Sequence, residues 1–233
     1  MDEIIKAAFQ TLGLTLDERA LSRFGTYYAL LEEKNKVMNL TAITGAAETA
    51  RLHFADCCAL LGMAPFRGKR LIDVGTGAGF PGLPLKIAEP SLHVTLLDSL
   101  GKRVDFLRDC CQALELTDTE CVCARAEEAP EAFRAAFDIA TSRAVARLNV
   151  LCELCLPFVK PGGLFIAMKG PNAAEELEEA GKAIHVLGGR SLGIREYTIP
   201  DTDVKHCAVL IEKTGTTPEK YPRRWAKIAK QPL

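Results

Sequence analysis

Asp73 sits near the end of an apolar run, Leu71-Ile72-Asp73-Val74, and glycines follow it at alternate positions, Gly75, Gly77 and Gly79, before Phe80-Pro81-Gly82. Glycine lets the main chain take positive φ and lets a ligand come close to the backbone, while a helix start offers N–H groups that lack partners. Pro81 suits a first helical turn, so the stretch reads as strand, glycine turn and helix, a cradle for a nucleotide-like ligand. Asp98 ends a second apolar run, Val94-Thr95-Leu96-Leu97-Asp98, where a carboxylate can accept bonds from both ribose hydroxyls or serve as a helix N-terminal acid. Arg143 ends a further run in Thr141-Ser142-Arg143, at the carboxyl end of a strand, where open α/β sheets bind ligands. Two frames fit the glycines. Gly77-x-Gly79-x-x-Gly82 with Asp98 spells a dinucleotide fingerprint, but its first glycine comes late after the apolar run; Asp73-x-Gly75-x-Gly77-x-Gly79 fits better.

These residues need strands and helices to hold them, and the periodicity supplies both. Apolar groups at helical spacing run over residues 2 to 12, 16 to 34 and 46 to 62, with Thr15 and Asp17 as caps. From Arg70 onward the pattern predicts strands at 70–75, 93–98, 119–123, 137–142 and 163–168, alternating with helices at 82–89, 101–114, 128–134 and 147–157. Strands alternating with helices indicate an α/β fold with a parallel sheet covered on both faces. A charged helix at 172–185 precedes two alternating segments, Ser191 to Ile199 and Lys205 to Glu212, expected to pair antiparallel at the sheet edge. The chain thus divides into a helical lobe over 1–65, a sheet domain over 66–214 and a tail over 215–233.

Composition narrows the classes. The 233 residues carry a formal net charge of −1, so the chain lacks the uniformly basic footprint of a non-specific nucleic-acid binder. Basic character is concentrated in the tail, where Lys220, Arg223, Arg224, Lys227 and Lys230 face only Glu219. No apolar run approaches membrane length and the start Met1-Asp2-Glu3-Ile4 is acidic, which predicts a cytoplasmic protein without membrane partner. Nine cysteines with apolar neighbours read as reduced core thiols. Cys152-x-x-Cys155 lacks a second ligand pair, so no metal is expected.

The frame beginning at Asp73 resembles motif I of class I S-adenosylmethionine (SAM) methyltransferases, a Rossmann-like doubly wound sheet ending in an antiparallel strand. Longer matches point to one family. Val74-Gly75-Thr76-Gly77-Ala78-Gly79-Phe80-Pro81-Gly82, Leu96-Leu97-Asp98-Ser99-Leu100-Gly101-Lys102-Arg103, Ser142-Arg143-Ala144, Asn39-Leu40-Thr41-Ala42-Ile43 and Tyr221-Pro222-Arg223-Arg224 resemble the bacterial small-subunit rRNA guanine-N7 methyltransferases, also called glucose-inhibited division protein B. The resemblance implies SAM as cofactor, contacted by Gly75, Gly77, Gly79, Phe80, Asp98, Ala126, Glu127 and Arg143, with Glu127 at the adenine edge. It also implies 16S rRNA or the small ribosomal subunit as partner, with one guanine of the 530 loop as target and no DNA; we expect a monomer. Two departures stand out: Cys57 where serine is expected in His53-Phe54-Ala55-Asp56-Cys57, and Trp225-Ala226-Lys227-Ile228 in place of an expected glycine and proline.

The residues fit that chemistry. Methyl transfer from a sulfonium is an in-line displacement governed by alignment. The Asn/Asp-Pro-Pro-aromatic turn of adenine N6 enzymes is missing after the fourth strand, and that turn holds no nucleophilic cysteine for pyrimidine C5 chemistry. Guanine N7 carries a free lone pair and needs no base. We expect Arg143 to order the site as its catalytic residue by holding SAM or phosphate, a surface salt bridge being the alternative. Arg147, Lys169, Arg223 and Arg224 are expected to meet rRNA phosphate, and His53 either to stack on a base or to lie in the core. A dinucleotide-dependent oxidoreductase and a non-catalytic ribosome-assembly RNA binder are the competing functions.

Overall fold

The parallel part of the sheet has five strands, β1 (Arg70–Val74), β2 (His93–Asp98), β3 (Thr119–Cys123), β4 (Phe137–Arg143) and β5 (Val159–Lys169); buried apolar runs build β1, β2, β4 and the second half of β5, while the edge strand β3 is only partly buried. The computed structural model describes residues 2–233. Two further strands, β6 (Gly189–Thr198) and β7 (Lys205–Lys213), complete a seven-stranded sheet in the order β3-β2-β1-β4-β5-β7-β6. β7 runs antiparallel to both β5 and β6, as the closeness of the last two segments predicts. The order reverses between β1 and β4, with Asp73 in register with Leu96 on one side and Thr141 on the other. Ligand crevices form at such a switch point.

Successive strand residues point to opposite faces, and the two cores follow that alternation. Leu71, Val94 and Leu96 face a core with the N-terminal helices, α1 (Asp2–Thr11) and α2 (Glu18–Met38), and with α5 (Gly82–Ala88) and α6 (Gly101–Ala113). Ile72, Val74 and Leu97 face the other core with α7 (Leu148–Cys155), α8 (Ala173–Glu179), α9 (Gly181–Val186) and Ile228 of α10 (Trp225–Lys230). The helical lobe therefore shares its interior with the sheet. Asp17 caps α2 by accepting from the Ala20 N–H at 2.7 Å, and Asn39 ends it in the left-handed conformation. Tyr27, fully buried on α2, donates to the Ala78 carbonyl at 2.6 Å and so fastens the lobe to the glycine loop.

Three stretches differ from the expected helices, and the first is 172–185, which is broken at Ala180 into α8 and α9. Residues 128–134 form short 3-10 turns, Ala126–Glu128 and Glu131–Phe133, because Pro130 lacks an N–H and drives Ala129 to an extended conformation. The helix over 46–62 is segmented: α3 (Ala46–Thr49) passes into a π-helical stretch, Ala50–Ala55, then α4 (Asp56–Cys58) and a 3-10 turn, Ala59–Gly62. Such π-bulges occur frequently at functional sites, and this one carries His53 and leads into Asp56.

Candidate active site

The glycine loop is braced by Asp73. Its Oδ2 accepts from Thr76 Oγ1 at 2.6 Å and from the Gly82 N–H at 2.8 Å, joining the two ends of the turn. Full burial pushes the Asp73 carboxyl up to about 6 against the pull of those two bonds. Asp98, also buried, accepts from the Gly77 N–H and the Leu100 N–H, both at 2.9 Å. A carboxylate has about four acceptor sites, so both oxygens keep capacity for ligand hydroxyls. Gly75 and Gly77 take positive φ, 71° and 61°, and a Cβ on Gly75 would come within 2.5 Å of Val145. Gly79 has a packing role beside the expected cofactor contact. Its φ is 108°, a Cβ there would meet Leu83 at 2.5 Å and Tyr27 at 2.8 Å, and it borders none of the cavities described below. It is a packing glycine between loop and lobe.

Arg143 stands at the centre of a polar network drawn from distant parts of the chain. One guanidinium nitrogen, Nη1, donates to Asp56 Oδ2 at 3.0 Å and to the Leu52 carbonyl at 3.3 Å; the other, Nη2, lies 2.7 Å from His53 Nδ1. Guanidinium only donates, so His53 Nδ1 accepts and Nε2–H points to Thr41 Oγ1 at 2.8 Å. Burial, reinforced by the Arg143 charge, pushes the His53 imidazole down to about 3 and keeps it neutral. Asp56, 1% exposed, accepts at its other oxygen from Tyr197 Oη at 2.7 Å and from His206 Nδ1 at 2.9 Å. That bond raises the His206 pKa against desolvation. Phe80 stacks on the His53 ring with centroids 4.3 Å apart, and Arg143 lies 4.8 Å over the Phe80 ring.

Three adjoining cavities open at the carboxyl ends of the strands. One of about 400 Å³ is bounded by Gly75, Gly77, Phe80, Asp98 and Arg143. A second, of about 200 Å³, lies between Asp98, Ala126, Glu127, Leu154 and Trp225. The third, about 600 Å³, extends past Arg143 toward Arg147, Lys169 and His206. Val145 borders all three and Arg143 the first and third. The second cavity contains a buried acceptor without a partner, Glu127 Oε1, 3.9 Å from Arg125. A buried orphan acceptor is costly and is relieved by a ligand N–H such as an exocyclic purine amine. Loop, paired acids and orphan carboxylate thus fit an adenosine-bearing cofactor. A wider depression of about 840 Å³ lies at the opposite ends of the strands, around Arg70, His93 and Asp138, away from the switch point.

The basic residues separate. Lys169 is nearly buried, donates to Glu176 Oε2 and the Ala146 carbonyl, both at 2.6 Å, and borders the third cavity. Arg223 grips the fully buried Glu153 through Nε, Nη2 and its own N–H at 2.5–2.8 Å, which makes it an anchor of the tail. Arg147 is about half exposed and pairs with Glu179 at 2.6 Å, while Arg224 is exposed. Sequence reasoning missed Asp56, Tyr197 and His206; the spacing His53-x-x-Asp56 was the sole local signal.

The strand order, the antiparallel last pair and a glycine loop facing an acid at the end of the second strand define a class I SAM-dependent methyltransferase. A SAM-dependent methyltransferase from Aquifex aeolicus superposes with a TM-score of 0.52 at 19% identity, covering 68% of this chain and 89% of that one. Geranyl diphosphate methyltransferase in complex with SAM gives a TM-score of 0.57 at 12% identity, over 72% and 88%. At such identities the likeness concerns the fold. Sequence carries the rest: a family model described as GidB, rRNA small subunit methyltransferase G, matches residues 20–204. The Ribosomal RNA small subunit methyltransferase G of Clostridium botulinum (strain Loch Maree / Type A3) is 46% identical over 233 residues, 99% of this chain and 98% of the relative. The chain belongs to the rRNA small subunit methyltransferase G family.

Proposed function

We propose that this chain transfers the methyl group of SAM to N7 of a guanine in 16S rRNA, the base entering the cavity beyond Arg143. The observation that carries this reading is the match to the rRNA small subunit methyltransferase G family, and two polar groups at that cavity accord with it. His53 is neutral with both nitrogens engaged, and both oxygens of Asp56 are taken by Arg143, Tyr197 and His206. Neither is available to remove a proton; His206, which lines the same cavity, keeps its Nε2 beyond the bond to Asp56, but an acceptor whose lone pair is already free calls for no base. When bound, SAM supplies an electrophilic methyl on sulfur. The chain's own residues supply position: Gly75, Gly77, Phe80 and Asp98 hold the ribose and methionine portion, Ala126 and Glu127 the adenine. Arg143, fixed by Asp56 and His53 between two cavities, orders the junction where methyl and acceptor meet. Arg147 and Arg224 meet RNA phosphate, and Lys169 and Arg223 keep their structural roles.

No helix among the described residues is long and apolar enough to cross a membrane. We read the protein as a cytoplasmic monomer acting on 16S rRNA or the small subunit, without DNA or membrane partner. Light scattering on the purified protein checks the monomer. The deciding experiment incubates 16S rRNA and small subunits with enzyme and SAM, then maps N7-methylguanine by borohydride and aniline cleavage. A cut at one guanine is expected; SAM binding with no cut would leave the assembly-factor reading in its place.

A further inference from the structure

The chain has a single tryptophan, Trp225, and it lies beyond the segment 20–204 that the family description matches. It nonetheless borders the cavity of about 200 Å³ whose other walls include Asp98, Ala126 and Glu127. Its placement is fixed from both sides. Before it, Arg223 is clamped to Glu153 and Tyr221 is buried; after it, Ile228 is fully buried in the core around α7. Leu154, next to Glu153 on α7, borders the same cavity. The anchor that holds the tail thus stands beside the pocket the tail reaches. Trp225 itself stays 41% exposed, a large ring with one part against the pocket and one part in solvent.

An indole over a cleft of this kind suits a purine. The same cavity offers Glu127 Oε1, buried and without a partner, as an acceptor for an exocyclic amine, while Leu97 and Ala126 add apolar lining. Flat rings stack on aromatic side chains with useful energy and little geometric demand. We propose that Trp225 forms the outer wall of the adenosine subsite, contacting the purine of SAM, so that the C-terminal helix α10 is part of the cofactor site. The proposal rests on the assignment of this cavity to SAM.

The test uses the full chain. S-adenosylhomocysteine, 5′-methylthioadenosine and methionine are titrated separately while tryptophan emission is recorded, with calorimetry in parallel. The two adenosine-bearing probes should change the emission and saturate at the calorimetric Kd, and methionine should leave it unchanged. Trp225→Ala should weaken S-adenosylhomocysteine roughly tenfold or more and raise the KM for SAM without moving the KM for RNA; Trp225→Phe should hold affinity within about threefold, since it keeps a stacking face. Calorimetric binding with unchanged emission, or an unchanged Kd in Trp225→Ala, would overturn the role of Trp225 and leave the SAM assignment standing. Absence of calorimetric binding to the wild type would overturn both. The emission titration needs no variant, so it decides the matter even where Trp225→Ala misfolds.

Discussion

Arg143 and Arg223 each pair with a carboxylate that is almost wholly buried, Asp56 and Glu153, yet the two pairs are built differently. Glu153 gives both oxygens to Arg223 alone, and neither residue borders the three cavities. Asp56 divides its oxygens among Arg143, Tyr197 and His206, and Arg143 divides its donors among Asp56, Leu52 and His53 while facing two cavities. A closed pair fastens one segment to another. A shared pair sets the direction of a group that must meet a ligand.

The sharpest way to break the comparison is to remove one acid. Glu153→Ala leaves Arg223 without its partner and should cost about 3–5 kcal/mol, lowering Tm by roughly 10 °C for a chain of this size. Methylation by the folded fraction at low temperature and saturating SAM should stay within a few-fold, with the KM for SAM raised because Trp225 loses the anchor beside it. A variant of normal stability and collapsed activity would exchange the roles of the two pairs. Arg143→Lys keeps the charge but loses the planar fork, and it should reduce kcat about 100-fold because the junction is misaligned while the fold persists by circular dichroism. Unchanged methylation would remove Arg143 from the site.

A smaller effect tests the neutral histidine at the shared pair. Folded His53 titrates at about 3, against about 6.5 in the unfolded chain. Below about pH 6.5 the unfolded state binds a proton that the folded state refuses. Stability present above that pH is therefore lost as pH falls toward 3. Asp73 has the opposite sign: raised to about 6, it takes a proton in the folded state between about 6 and 3.8 and favours the fold on acidification. His53→Gln removes only the first contribution, so its urea midpoint should approach or pass that of wild type between pH 7 and 4.5. A constant difference would show that His53 is not held neutral. The smallest effects concern the surface. Arg224→Ala should weaken RNA binding a few-fold and lower the salt slope by about one, whereas Lys169→Met should leave the slope unchanged.

Strand runs, the glycine loop and the paired acids were legible because each is written in a few consecutive residues. Asp98 reaches Gly77 across adjacent strands whose ends the apolar runs mark, and the tail's anchor motif, Tyr221 to Arg224, was visible as a string though its partner Glu153 was not. The network around Asp56 left almost no local trace, since its partners Arg143, Tyr197 and His206 lie 87, 141 and 150 residues away. Residue type also misled where charge was taken for exposure. Lys169 and Arg223 are basic, but Glu176 and Glu153 sit close enough to draw them inward. Gly79 was grouped with its neighbours by spacing, but its φ of 108° and the closeness of Tyr27 in the lobe and Leu83 on α5 explain why it must be glycine.

Those separations also set a timetable. At about 5–20 residues per second, on the order of ten seconds of synthesis pass between Asp56 and the two residues that complete its oxygen Oδ1, Tyr197 and His206. Until the closing hairpin is made, the aspartate has only Arg143 and solvent to satisfy it. The centre of the molecule's chemistry is laid down early and finished late, by the edge of the sheet.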